Sequence, residues 1–312
     1  MIVNSAGTQA ISSVGWVHKG SLCAYNIGDA APRILKLSDA KSLTVKAGKN
    51  DFFSVAHHLD GDGFEITAHN HSDPHRVVSR ISWHRVGFGR DKIESTLGGD
   101  NSVWRELPRA YVALAFGDFH LFLVNPLGDA SIQVFNWYAE SRYDKMYQGI
   151  VAVEELPNSH LLIVSVQRDS NPILYDPDSE KEIRKLNLAG RIGNPHLRFR
   201  TSANELWADD YDHIVKLDAA TLNVIAIKQL QEAPAGTRQF IGDFSFDRGE
   251  RLCLVARPFS GDVIALDCDS MLQTHRAELG KQPLDAGLLG DDTVVALDRK
   301  TGELLTGKLE RV

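Results

Sequence analysis

Seven times along the chain an apolar run of four to six residues is followed by a turn and then a second apolar run. The leading runs of these hairpins begin at Leu22, Phe64, Leu121, Leu161, Leu206, Leu252 and Val294, so successive repeats lie 42, 57, 40, 45, 46 and 42 residues apart. A period in the forties made of short strands predicts an all-β chain in which each repeat is one radial blade, hence a seven-bladed β-propeller with four-stranded blades. Two domains are the ordinary expectation for 312 residues, but unbroken repetition argues for a single β-propeller domain over 1–312. Runs such as Leu161-Leu162-Ile163-Val164 and Val294-Val295-Ala296-Leu297 are apolar throughout rather than alternating. Strands covered on both faces require that pattern.

The clearest copy starts with a strand at 194–199, a turn at 201–204 and a second strand at 205–208. A turn at 209–212 follows, then strands at 214–218 and 224–227. The next copy repeats the plan with strands at 240–246, 252–255 and 263–267 and turns at 247–250 and 260–262. This resembles the bacterial YVTN-type propeller repeat, in which a turn rich in Asp and Gly precedes the second strand and an apolar-Asp ending closes the third. The resemblance implies the fold and carries no activity with it.

Two places depart from the repeat. After Val294 only two strands fit, at 293–298 and 303–309, so the last blade lacks its outermost strand. Residues 1–10 are expected to supply it, which closes the ring and leaves no long unpaired edge. The chain also runs longer than the repeat needs between Trp83 and Tyr111, and 84–110 reads as an inter-blade insertion. Within it Trp104 beside Arg105 suits stacking combined with anion contact.

Composition removes whole classes of function. A net charge of −7 argues against nonspecific nucleic-acid binding, which needs a basic surface. No stretch approaches the ~20 apolar residues that span a bilayer, so no membrane partner is expected. The first ten residues lack the basic start and apolar stretch of a secretory signal. Cys23, Cys253 and Cys268 are too few and too scattered for a disulfide or zinc framework, and a reduced, cytoplasmic protein is expected.

Chemistry-bearing residues gather in two settings. His69, His71 and His75 lie on one short polar stretch, and imidazoles two apart on a tight turn converge well enough to ligate a divalent transition metal. A polar turn between strands, where such residues are expected in any case, is the simpler account of them. No other cofactor is expected. The Asp60-Gly61-Asp62-Gly63 stretch reads as a tight turn, since a calcium loop needs a Glu at its twelfth position and flanking helices.

The second setting is the mouth of the central channel, where loops feed the innermost strands. Those starts and the neighbouring turns carry Asn50, Arg109, Gln148, Arg168, His196, Arg238, Arg257 and Asp285, with Arg105 on the insertion nearby. A solvated mouth would be polar in any case, but this mixture of arginines, amides and a carboxylate suits a small polar or anionic ligand, or a peptide. If the chain is an enzyme, His196 is the acid or base by type. Two functions therefore compete: a binding or interaction protein using this mouth, and a propeller enzyme (lyase, hydrolase or lactonase) using the same face. No nucleophile elbow, phosphate loop or zincin motif favours the enzyme. The sequence leaves the oligomeric state open.

Overall fold

In the computed structural model the described residues comprise strand backbones along the whole chain. Side chains are described for 154, 156, 160, 162, 172–176, 178–179, 181–186, 196–230, 241–301 and 303–312. Among these residues the strands form seven antiparallel sheets, built chiefly from sequence neighbours. The first holds β1 (Ile2–Val3), β2 (Gln9–Ser13), β3 (Ser21–Asn26) and β4 (Arg33–Lys36). The second holds β5 (Ala40–Ala47), β6 (Asp51–His58), β7 (Gly63–Asn70), β8 (Val77–Arg85) and β9 (Asp91–Leu97). The third comprises β10 (Val112–Phe116), β11 (His120–Asn125) and β12 (Ser131–Asn136).

The fourth sheet is β13 (Ile150–Glu155), β14 (Leu161–Ser165), β15 (Ile173–Asp176) and β16 (Lys181–Lys185). The fifth is β17 (Leu197–Arg200), β18 (Glu205–Asp210), β19 (His213–Asp218) and β20 (Val224–Gln229). The sixth has β21 (Phe244–Phe246), β22 (Leu252–Arg257), β23 (Asp262–Asp267) and β24 (Gln273–Glu278). The seventh has β25 (Pro283–Leu289), β26 (Thr293–Asp298) and β27 (Leu304–Lys308). The chain ends on β28 (Glu310–Arg311), which returns to the sixth sheet beside β24. All seven apolar runs expected from the sequence fall on observed strands: β3, β7, β11, β14, β18, β22 and β26.

Among the described residues the fourth to seventh sheets are stacked face to face, which explains their unbroken apolar runs. Successive side chains of a strand point to opposite faces, and here each face meets a different neighbour. On β18, Leu206 and Ala208 pack on Leu162 and Leu174 of the fourth sheet, whereas Trp207 packs with Cys253 and Ile264 of the sixth. On β22, Cys253 and Val255 face the fifth sheet, whereas Leu254 and Ala256 meet Ala286 and Val294 of the seventh. Small residues let those last two sheets approach closely: a Cβ added to Gly242 would lie 2.3 Å from the Leu284 carbonyl oxygen. Each fully buried Leu or Val contributes about 1.5–3 kcal/mol.

One turn recurs and reveals where each strand stands in its repeat. After β15, β19, β23 and β26 the chain turns on an Asp that accepts hydrogen bonds from a Ser or Thr three residues on. The pairs are Asp176 with Ser179 Oγ (2.6 Å), Asp218 with Thr221 Oγ1 (2.8 Å), Asp267 with Ser270 Oγ (2.7 Å) and Asp298 with Thr301 Oγ1 (2.7 Å). Hydrogen bonds from the Thr221 backbone and hydroxyl hold Asp218 below the usual carboxylate range, and the Ser179 hydroxyl does the same for Asp176. Leu222 and Met271, one residue further on, accept left-handed backbone (φ 58° and 56°) and bury their side chains.

The first three of these aspartates lie 42 and 49 residues apart, but Asp298 follows Asp267 by only 31. By this mark β26 and β27 hold the third and fourth positions of their sheet, so among the described residues the seventh sheet lacks its first strand rather than its last. That corrects the sequence expectation at both ends of the chain. Ile2 and Val3 do not pair with β27. They pair with Ile11 and Ala10 of β2, and β1 also lies beside β25. The outer edges at the C-terminus are instead handled by β28, whose Glu310 and Arg311 pair with Arg276 and His275. The presumed insertion at 84–110 is in part a strand, since β9 pairs with β8 from Arg85↔Asp91 to Ser79↔Leu97. Residues 86–90 and 98–110 lie outside the described residues, and with them Arg105.

Candidate functional site

Charged residues stand at and beside the ends of neighbouring strands, and the fold brings them together. His196 and Arg198 lie at the start of β17, Asp209 near the end of its partner β18, and Asp243 just before β21 in the next sheet. The His196 backbone N–H and Nδ1 both bond the Asp209 carboxylate, the latter at 2.8 Å. His196 Nδ1 also lies 3.9 Å from Asp243 Oδ1. Arg198 donates from one guanidinium nitrogen to both Asp243 oxygens, at 3.0 and 2.7 Å, and its guanidinium lies 5.9 Å from the Phe244 ring centroid. Asp243 is fixed in turn by the Phe244 N–H at 2.7 Å.

Arg198 is where several sheets meet. Burial works against its charge, but Asp243 first, then Glu154, Asp285 and Asp209 hold it firmly protonated. These four carboxylates come from the sixth, fourth, seventh and fifth sheets. Their convergence on one guanidinium is what a shared central axis produces.

The same balance sets the state of His196. Burial disfavours its charged form, yet the Asp243 and Asp209 carboxylates outweigh that and push its pKa up from 6.5 to about 9. At neutral pH the ring is therefore an imidazolium, a hydrogen-bond donor, the acid of the two roles its residue type offers. The folded pKa lies above the unfolded one, so the interaction contributes fully below pH 6.5 and is lost as pH rises through about 9. We expect the melting temperature to decline across that window, and the His196→Gln variant to show a flatter profile in thermal scans between pH 6 and 10. Parallel profiles would mean that Asp243 and Asp209 do not hold the charge.

Of the other residues singled out in the sequence, Asp285 falls within electrostatic reach of Arg198 and so belongs to this cluster. Arg257 does not belong to it. It is 2% exposed and its Nε donates to Asp262 Oδ1 at 2.8 Å, across the hairpin that joins β22 to β23. That arginine is buried in its own sheet, held by the Asp262 carboxylate. His69 is placed only as a backbone position on β7. Asn50, Arg109, Gln148, Arg168, Arg238, His71 and His75 lie outside the described residues. Among the described residues no three His, Cys, Asp or Glu side chains are grouped to hold a metal ion.

Sequence reasoning missed Arg198, Asp209 and Asp243. The available signal was charge inside, just before or near the end of strands whose neighbouring residues are apolar, such as Arg198 between Leu197 and Phe199. The cysteines that are described play no part: Cys253 and Cys268 are buried, and burial raises both thiols, Cys268 to about 12.

No family model matches the sequence, and no curated relative does either. Solved structures do resemble it. The β-propeller domain of Myceliophteria thermophila Cps50 (Swd1) superposes with a TM-score of 0.65 at 14% identity, covering 99% of this chain and 95% of that one. Saccharomyces cerevisiae Sqt1 gives 0.59 at 8% identity, covering 99% and 94%. The computationally designed protein Ika8 gives 0.54 at 12% identity, covering 96% and 93%. Likeness at such low identity reports architecture alone. Together with the stacked antiparallel sheets, it makes this chain an all-β protein of β-propeller fold.

Proposed function

We propose that the chain is a seven-bladed β-propeller interaction protein that takes a small polar or anionic ligand, or a peptide bearing such a group, at the mouth of its channel. The observation that carries this reading is the order of exposure in the cluster. The cations His196 and Arg198 are 39% and 40% exposed, while Asp209 and Asp243 behind them are 4% and 17% exposed. A buried and a half-buried carboxylate thus hold two cationic donors toward solvent, and a preorganised pair of donors is what an acceptor group needs. In this reading the seventh blade takes its missing first strand from the N-terminal segment, an arrangement supported by β1 lying beside β25. A cytoplasmic, cofactor-free role agrees with the composition. The imidazolium state of His196 favours binding over base catalysis.

An arginine making a charge-assisted contact to a ligand contributes about 1.5–3 kcal/mol, which is roughly tenfold or more in affinity. Calorimetric titration with inorganic phosphate and with short acidic peptides is expected to show binding that Arg198→Gln weakens at least tenfold. Binding of the same probes by the variant at undiminished affinity would remove the mouth from consideration.

A further inference from the structure

Among the described residues, those other than glycine that adopt left-handed backbone are Asn204, Tyr211, Leu222, Glu250 and Met271. Four of them have a visible reason. Asparagine tolerates that conformation. Leu222 and Met271 bury their side chains in the core, and Glu250 accepts hydrogen bonds from the Thr201 and Ser202 N–H groups. Tyr211 has none of these reasons. Its φ is 48°, it is 54% exposed, and among the described residues no hydrogen bond or ring contact engages its side chain. A bulky residue in this region is strained, and such strain is retained chiefly at functional positions.

Its place in the fold ties Tyr211 to the channel mouth. It follows Asp209, the carboxylate that holds His196, by two residues. Its carbonyl accepts from the Ile241 N–H at 2.9 Å, and Ile241 precedes Asp243, the partner of Arg198, by two residues. Two residues of extended chain span about 7 Å. A short peptide is therefore long enough to meet the ring and both cations at once.

The next sheet shows what a ring in this place holds. Phe259 lies on the corresponding turn, between β22 and β23, and is 41% exposed. The Arg299 guanidinium of the seventh sheet lies 6.0 Å from its ring centroid. Tyr211, between β18 and β19, is given no such cation by the chain among the described residues. The Asp212 carboxylate beside it is 43% exposed, which adds attraction for a positive charge.

We propose that Tyr211 is a ligand-contact residue of the mouth, whose ring receives a guanidinium group of the same peptide whose acceptor group is bound by His196 and Arg198. This role depends on the mouth binding a ligand at all. It narrows that ligand to a peptide carrying a carboxylate and an arginine a few residues apart.

Two capped hexapeptides test this role, one with glutamate followed two positions later by arginine, the other with glutamine in place of the arginine. In calorimetric titration the parent chain is expected to bind the arginine peptide about threefold to fivefold more tightly, the gain of an exposed cation–π contact. Tyr211→Asn should reduce that preference to less than about twofold and leave the glutamine peptide bound as before, whereas Tyr211→Phe should keep it. Asparagine suits left-handed backbone, so Tyr211→Asn should melt at or above the parent's temperature, and its lost preference is then not lost folding. Arg198→Gln should weaken both peptides alike. Equal binding of the two peptides by the parent, with Arg198→Gln weakening both, would overturn the role of Tyr211 and leave the mouth as a site. A preference that survives in Tyr211→Asn would overturn it as well. Binding of neither peptide would remove the mouth itself, and the role of Tyr211 with it.

Discussion

Replacing Glu205 by alanine is expected to remove about 3–5 kcal/mol of unfolding free energy, because it strips two buried cations of their common carboxylate. Glu205 lies at the opposite end of β18 from Asp209 and is 13% exposed, with Arg200 at 7% and Lys216 at 5%. Arg200 reaches Glu205 Oε2 at 3.1 Å and Lys216 reaches Oε1 at 3.2 Å. The indole N–H of Trp207 donates to Oε2 as well, at 3.1 Å, and the Lys216 ammonium lies 5.5 Å from that indole's ring centroid. Both cations also cross to the sixth sheet: Lys216 donates to the Cys268 carbonyl at 2.9 Å and Arg200 to that of Glu250 at 3.0 Å. The cluster therefore fastens two neighbouring sheets together. In Glu205→Ala the Lys216 ammonium stays buried with only carbonyl partners, while Arg200 keeps the Asp269 carboxylate at 2.9 Å. Urea titration should show a lower midpoint with an unchanged slope, the mark of lost stability rather than of a changed unfolded state. Glu205→Gln, which retains an acceptor for Trp207 but no charge, should fall between the two. A loss under 1 kcal/mol in the alanine variant would mean that water reaches the cations and that the cluster is effectively exposed.

Much of the architecture was legible because it depends on apolar runs. Covering both faces of a strand demands an uninterrupted run, and all seven such runs became strands. What those runs cannot convey is position within a sheet. Val294 looks like any second strand, because second and third strands are equally buried. Only the turn after it, Asp298 to Thr301, identifies it as a third strand, and that turn was visible in the sequence as Asp-x-x-Ser/Thr. The pairing of β28 left no trace, since two exposed residues such as Glu310 and Arg311 carry no periodicity.

The candidate site was legible to a lesser degree. The residue type of His196 and its place at the start of an inner strand pointed to the mouth, and Asp285 was placed there for the same reason. Residue type alone could not reveal that His196 is held as a cation, because that follows from Asp209 and Asp243 lying 13 and 47 positions further along the chain. Nor could it separate two arginines at similar stations in successive sheets. Arg198 turns toward Asp243 and solvent, whereas Arg257 turns into its own hairpin toward Asp262.

That second arginine carries the other large effect. Asp262 is fully buried and accepts from Arg257 Nε at 2.8 Å, with Arg276 bonding the same carboxylate from β24. Asp262→Ala leaves the Arg257 side chain, 3% exposed, without its carboxylate, and a cost of about 3–5 kcal/mol is expected in denaturant unfolding. Arg276 has an alternative, since it is 35% exposed and also pairs with Glu278 at 2.7 Å, so Arg276→Gln should cost about 1 kcal/mol or less. The ordering of the two variants therefore reports on burial rather than on charge count. Removing both buried partners tests the same point from the other side. Asp262→Leu combined with Arg257→Met trades an ion pair for apolar volume, and such exchanges are often neutral or stabilising. The double variant should recover most of the stability lost in Asp262→Ala, and any binding of anionic probes measured for the parent chain should be unchanged in it. A double variant as unstable as the single one would mean that the surrounding sheet is shaped around the ions. A double variant that folds but no longer binds would return Arg257 to the ligand site from which its geometry removes it.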